Sequence, residues 1–167
     1  YISQLDMLAK ETLVLISPTE EFSIEDLSLI QKFVFNGGKL IIFYEWGGYS
    51  NTNLVSLNKL IDPMGLQINA DSIQNESPFI PLSFETHPLT EDINEVTFYH
   101  AGSLKVTHSE SGIILGRSNY DSFQIKNQNS FGLMGMGLYG LGKVFLIGDS
   151  SFILNQDSSG NGLSNID

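Results

Sequence analysis

Thr12-Leu13-Val14-Leu15-Ile16 is an unbroken run of β-branched and aliphatic residues closed by Ser17-Pro18. Such a run reads as a buried strand, and its lack of polar alternation points to a parallel sheet. A helix signal follows at Ser23, an N-cap residue with Asp26 three positions on and Glu25 adding charge to the first turn. Leu27, Ile30, Phe33 and Val34 then recur at helical spacing. Asn36-Gly37-Gly38 ends the helix, with a glycine placed for a left-handed C′ position. A second apolar run, Leu40 to Tyr44, reads as another buried strand. Strand, helix and strand with short joints make a βαβ unit, so these two strands are expected to lie parallel.

Leu54, Leu57, Leu60 and Ile61 share one helical face, which predicts a second helix from about Asn53 to Asp62, stopped by Pro63 and Gly65. The stretch from Asp71 to Pro88 is polar and broken by proline, and reads as a long loop. Beyond it the pattern turns strand-rich. Val96 to His100, Leu104 to Thr107, Gly112 to Leu115 and Phe123 to Lys126 are short apolar or alternating runs between turn residues. Val144 to Ile147 is a last core strand, and the tail from Asn155 is polar. No internal repeat is visible.

Length and charge narrow the picture. A chain of 167 residues suits one complete core, so a single α/β domain spanning 1–167 is expected. No apolar run approaches the roughly 20 residues that cross a bilayer. Lys and Arg number 8 against 19 Asp and Glu, a net charge of −11 that repels polyanions. Nucleic acid and an anionic membrane surface are therefore excluded as partners of this domain. The absence of cysteine removes disulfides, thiolate metal sites and thiol catalysis together, and leaves the compartment open.

Several phrases carry a family resemblance. Leu13 to Pro18, the helix ending in Asn36-Gly37-Gly38-Lys39-Leu40, and the Asn53-Leu54 helix running into Met64-Gly65-Leu66 resemble class I glutamine amidotransferase-like domains. More narrowly, they resemble the branch found in gliding-motility-type ABC transport accessory proteins and in an intraflagellar transport subunit. His87-Pro88-Leu89-Thr90 and Gly142-Lys143-Val144 through Gly148-Asp149-Ser150-Ser151 are similar to the same branch. The resemblance implies a flavodoxin-like three-layer sandwich with a mostly parallel central sheet, preceded by a further strand and helix upstream of Tyr1. Amidotransferases of the family carry a cysteine on the turn after the strand matching Leu40 to Tyr44. Here that turn reads Glu45-Trp46-Gly47-Gly48, so glutamine hydrolysis by a thiolate is excluded.

Other motifs yield to structural readings. Gly135-Met136-Gly137-Leu138-Tyr139-Gly140 fits the dinucleotide fingerprint as a pattern, and Gly137 to Lys143 nearly fits a P-loop. Both need a helix after the glycines to hold phosphate, whereas a strand follows here, so a bent glycine-rich strand or turn is expected. Gly148-Asp149-Ser150 is similar to an esterase nucleophile block, but no His follows it, and Asp149 is expected to cap local backbone donors instead. His87, His100 and His108 show no metal spacing; His87 enters a turn and His100 belongs to a strand. Glu45 and Asp149 follow core strands and are expected at one sheet edge, with Glu20 able to join them.

The candidate ligand site is therefore Glu45, Trp46, Gly47, Gly48, Tyr49, Ser50 and Asn51 with Asp149 and Ser150, with an aromatic wall, flexible backbone and a helix N-terminus. No catalytic residue, metal or cofactor is assigned. The expected function is a non-catalytic binding or scaffold domain of a transport-associated protein, its partner a protein such as a transporter subunit, or a glycan. A hydrolase using Glu45, Ser50 and Asp149 is the alternative, and self-association through Gly132 to Leu141 a third. Membrane contact is expected only through segments outside this chain, with an extracytoplasmic placement open.

Overall fold

The structure is a computed structural model that describes residues 11–46, 53–73, 79–119 and 130–151. Ten strands and two α-helices are formed by these residues: β1 (Thr12–Ile16), α1 (Ile24–Phe35), β2 (Lys39–Phe43), α2 (Leu54–Ile61), β3 (Leu66–Ile68), β4 (Phe79–Pro81), β5 (Ser83–Phe84), β6 (Thr97–Tyr99), β7 (Leu104–Val106), β8 (Gly112–Ser118), β9 (Phe131–Tyr139) and β10 (Gly142–Ile147). The fold is mixed α/β and strand-rich. β1 and β10 flank β2, all three parallel, with Ile16 and Ile147 both in register with Phe43. Every other pairing is antiparallel, beginning with the β9–β10 hairpin, which reaches from Met134 to Ile147.

The βαβ unit forms as its pattern predicts. The Ser23 hydroxyl accepts from the Asp26 amide at 3.0 Å, and the Asp26 carboxylate accepts from the Ser23 amide, a complete capping box. At the far end Gly37 takes φ +108°, a conformation open to glycine and costly for other residues. Asn53 caps α2 through its side chain and the Ser56 amide. Gly65, φ +78°, ends the short 3-10 turn Asp62–Met64 that follows.

One core lies between the helices and one sheet face. It joins Ile30, Phe33 and Val34 of α1, Leu57, Leu60 and Ile61 of α2, and Leu40, Ile42, Val144 and Leu146 of the parallel strands. A second gathers Ile73, Ile80, Leu82, Val96, Phe98, Ala101, Phe131 and Leu133, with Ile147 packed on it. There the separate β4–β6 pair, rather than a helix, supplies the covering side chains.

Three expectations need correction. β1 is an edge strand rather than a buried one: Val14 and Ile16 remain 47% and 54% exposed, because only β2 pairs with it among the described residues. The stretch from Asp71 to Pro88 is not one loop, since β4 and β5 form within it where partners β6 and β8 are available. His100 is not in a strand. It follows β6 with φ +53°, a left-handed corner. The glycine-rich segment is β9, as its strand reading requires, and its glycines admit close neighbours: a Cβ on Gly137 would stand 2.3 Å from the Met64 carbonyl oxygen. The expected strand at Phe123 to Lys126 lies outside the described residues.

Candidate functional site

Parallel pairing in register brings the ends of β1, β2 and β10 to one edge of the sheet, so Ser17, Tyr44 and Gly148 begin their loops at one level. Open α/β sheets bind ligands at this edge because the chain diverges there into loops. A crossing segment, Tyr99 to Ser103, runs over the ends of β2 and β10. The Gly102 amide donates to the Gly148 carbonyl at 2.9 Å, and the buried Tyr44 hydroxyl donates to the Gly102 carbonyl at 3.0 Å. The approach leaves no room for side chains. A Cβ on Gly148 would stand 2.4 Å from the Gly102 oxygen, and one on Gly102 would stand 3.0 Å from the Tyr44 ring.

Asp149 fastens this crossing. It is 1% exposed, and its carboxylate accepts the Tyr99 amide at 2.6 Å, the Ser151 amide at 2.8 Å and the Ser151 hydroxyl. A buried carboxylate is tolerable when its oxygens accept N–H and O–H groups in this way. The expected capping role is met, and it extends across the fold to residue 99 as well as to the local turn.

Glu45 sits beside it. The Ser150 hydroxyl donates to the Glu45 carboxylate. Burial pushes the Glu45 carboxyl above its ordinary range; the Ser150 hydroxyl and amide hold it down, and the Asp149 charge adds to the rise. Burial likewise pushes the Tyr44 phenol well above its usual value, with the charge of Asp71 acting in the same direction. Asp71 is itself buried and accepts the amide and hydroxyl of Ser103, at 2.9 and 2.7 Å, anchoring the other end of the crossing segment.

An aromatic group completes the edge. The Trp46 and His100 rings lie 6.0 Å apart between centroids, and His100 meets Tyr99 edge-on at 4.6 Å. His100 Nδ1 is buried and has no hydrogen-bond partner among the described residues. Of the sequence-derived candidates, the structure thus brings together Glu45, Trp46, Asp149 and Ser150. Gly47, Gly48, Tyr49, Ser50 and Asn51 lie outside the described residues. Glu20 belongs to the loop after β1, exposed, at the same edge. Tyr99, His100, Gly102 and Asp71 were not marked by the sequence, because their place depends on a crossing between distant segments. The one available signal, polar residues ending an apolar run, is too common to have singled them out. No group of three or more metal-ligating side chains occurs among the described residues.

No family model matches the chain, and no curated protein matches it. Solved structures do. The chain shares its fold with the mmIFT52 N-terminal domain, at a TM-score of 0.67 and 14% identity, covering 87% of this chain and 68% of that one. It matches the cold-adapted β-galactosidase of Rahnella sp. R3 at 0.63 and 15%, covering 90% of this chain but 22% of the enzyme. Cytoplasmic protein STM1381 of Salmonella typhimurium LT2 matches at 0.58 and 16%, covering 84% and 61%. The chain therefore spans from about a fifth to two thirds of the proteins it resembles, and at these identities the likeness is one of fold.

Proposed function

We propose that this chain is a non-catalytic binding domain, and that the sheet edge of Glu45, Trp46, His100, Asp149 and Ser150 is its partner surface. The observation that carries the reading is how the two carboxylates are used. Asp149 is spent on backbone amides of two segments, and Glu45 on the hydroxyl of Ser150, so both work as clasps that shape a rim. The lack of any cysteine supports the same conclusion, since the thiolate route of related enzymes is closed. In this reading the domain is a glutamine amidotransferase-like, flavodoxin-like three-layer unit of a larger transport-associated protein. Its partner is a protein subunit or a glycan. The IFT52 N-terminal domain and the β-galactosidase neighbours agree with a fold that forms one part of a longer chain.

The test is site-resolved crosslinking in the full-length host protein. A photo-reactive phenylalanine replacing Trp46 should capture a discrete partner, whereas one replacing Leu141, exposed on the β9–β10 turn at the opposite edge, should not. Equal capture from both positions, or none from position 46, overturns the reading.

One observation favours a second reading, a serine hydrolase: Ser150 donates to a carboxylate whose pKa is raised, the arrangement of a nucleophile with a base. Among the described residues His100 Nδ1 has no hydrogen-bond partner, so the base in this reading is Glu45. Incubation with a fluorophosphonate probe decides it: labelling of Ser150 that Ser150→Ala abolishes supports the hydrolase, and an unlabelled protein rejects it.

A further inference from the structure

The phrase His87-Pro88-Leu89-Thr90 falls in the connection from β5 to β6, and the structure shows what it builds there. Thr90 is buried; its hydroxyl donates to the Glu85 carbonyl at 2.7 Å, and its amide to the His87 carbonyl at 2.8 Å. The Leu89 amide donates to His87 Nδ1 at 3.1 Å, and the Ile93 amide to the Thr90 carbonyl at 3.1 Å. Two ties then fix this folded-back segment to β8. The Glu85 amide donates to the Leu115 carbonyl at 3.0 Å, and the Arg117 guanidinium pairs with Glu85 Oε1 at 2.6 Å.

The segment and β5 frame an open hollow of about 650 Å³ that shares no lining residue with the sheet-edge site. Small-ligand clefts typically measure roughly 300–1,000 Å³ and combine apolar walls with a few convergent polar groups. Here Phe84 and Ile93 supply the apolar surface, Ile93 being 37% exposed. The carboxylates of Glu85 and Glu91 are acceptors, whereas the Asn94 amide both donates and accepts. His87 adds a donor: its Nδ1 is taken by the Leu89 amide, so the neutral ring carries its proton on Nε2.

This lining selects among ligand chemistries. An anion meets two carboxylates in a chain of net charge −11. A simple cation leaves the His87 and Asn94 donors unmatched, and a wholly apolar molecule buries every polar group without a partner. A ring that bears several hydroxyls matches all of it. Each hydroxyl both donates and accepts, and the C–H face of the ring covers apolar side chains.

We infer that this hollow binds a neutral saccharide of one or two rings, free or at the end of a glycan. Glu85, positioned by Arg117, and Glu91 accept from the sugar hydroxyls; His87 and Asn94 donate to them; Phe84 and Ile93 cover the C–H face. The Thr90 bonds hold these groups in place before the sugar arrives, which lowers the ordering cost of binding. The site is separate from the sheet edge and neither uses nor requires the reading given to that edge.

Amide NMR of the isotope-labelled full chain tests this, because the amides of residues 83–94 report on the hollow. Lactose, maltose and mannobiose are titrated into the millimolar range, with galacturonic acid as the anionic control. Ribonuclease B, which carries neutral high-mannose glycans, is compared with unglycosylated ribonuclease A. A saturable shift of these amides with a disaccharide identifies a free sugar as sufficient; a shift with ribonuclease B alone identifies a glycan end. Galacturonic acid and ribonuclease A should leave them in place. Glu91→Gln and Asn94→Ala, both at exposed positions, should each weaken binding about threefold to tenfold, and Glu110→Gln, in the turn before β8, should not. The inference is overturned if neither the disaccharides nor ribonuclease B shifts these amides, if galacturonic acid shifts them as strongly, or if Glu91→Gln and Asn94→Ala both bind as the parent does. Shifts here without a crosslink at position 46 keep the hollow and remove the edge; a crosslink without shifts removes the hollow alone.

Discussion

Replacing Asp149 with Ala removes the fastening between the end of β10 and the Tyr99–Ser103 crossing. The carboxylate accepts the Tyr99 amide at 2.6 Å, and the Ser151 amide and hydroxyl beside it. A hydrogen bond to a charged acceptor contributes about 1.5–3 kcal/mol, and a buried donor left without an acceptor costs about 1–3 kcal/mol. Ser151 is partly exposed and recovers bonds to water; the Tyr99 amide, which points at the buried Asp149 carboxylate, does so less readily. Loss of the buried negative charge beside Glu45 returns part of the cost. The expected net is about 3 kcal/mol for Asp149→Ala, and about 1–2 kcal/mol for Asp149→Asn, which keeps one acceptor oxygen. Against a typical total of about 5–15 kcal/mol this is a large share. Urea titration followed by far-ultraviolet circular dichroism measures it, with Trp46 emission as the local probe and an unchanged slope as the sign of an intact two-state transition. Hydrogen exchange at the Tyr99 amide should accelerate. A loss below about 1 kcal/mol for Ala, or Asn more damaging than Ala, would refute the fastening role.

Three further outcomes are expected. Because the folded-state pKa of Glu45 is raised, the folded protein holds its proton more tightly than the unfolded chain; that stability is present in full below the ordinary Glu value and is lost as pH rises through the raised one. Glu45→Gln should flatten this segment of the stability–pH curve, and an unaltered slope would contradict the shift. Tyr44→Phe should cost about 1–3 kcal/mol by stripping the Gly102 carbonyl of its donor in a fully buried place, measured by the same urea titration. Gly142→Ala should destabilise by more than about 2 kcal/mol or prevent folding, since its Cβ would lie 2.0 Å from the Val34 oxygen and 2.4 Å from the Gly38 oxygen; a melting temperature equal to the parent's would count against this packing.

Local rules made much of the first half legible. The capping box at Ser23, the left-handed Gly37 and the cap at Asn53 depend on residues within a few positions of one another, and all three form. The parallel pairing of β1 and β2 also follows from sequence, because a short helical connection leaves the chain no other hand. The burial of β1 did not follow. An apolar run does not report how many neighbours a strand will have, and Val14 and Ile16 face outward on an edge. Phe79 to Phe84 read as loop because proline and serine interrupt it, yet distant partners in β6 and β8 make strands of it.

The sequence by itself determined the acidic balance, the absence of thiol chemistry, the two helices with their caps, and the placing of Glu45 and Asp149 after core strands. Each is a matter of composition or of short-range geometry. Only the tertiary structure decided that Ser150 bonds to Glu45, that Asp149 reaches Tyr99 fifty positions away, and that His100 turns its ring to Trp46. Those contacts depend on register across a sheet and on one segment crossing over the ends of two strands. Spacing along the chain carries no trace of such a crossing, because its closest approaches, at Gly102 and Gly148, are made by residues without side chains.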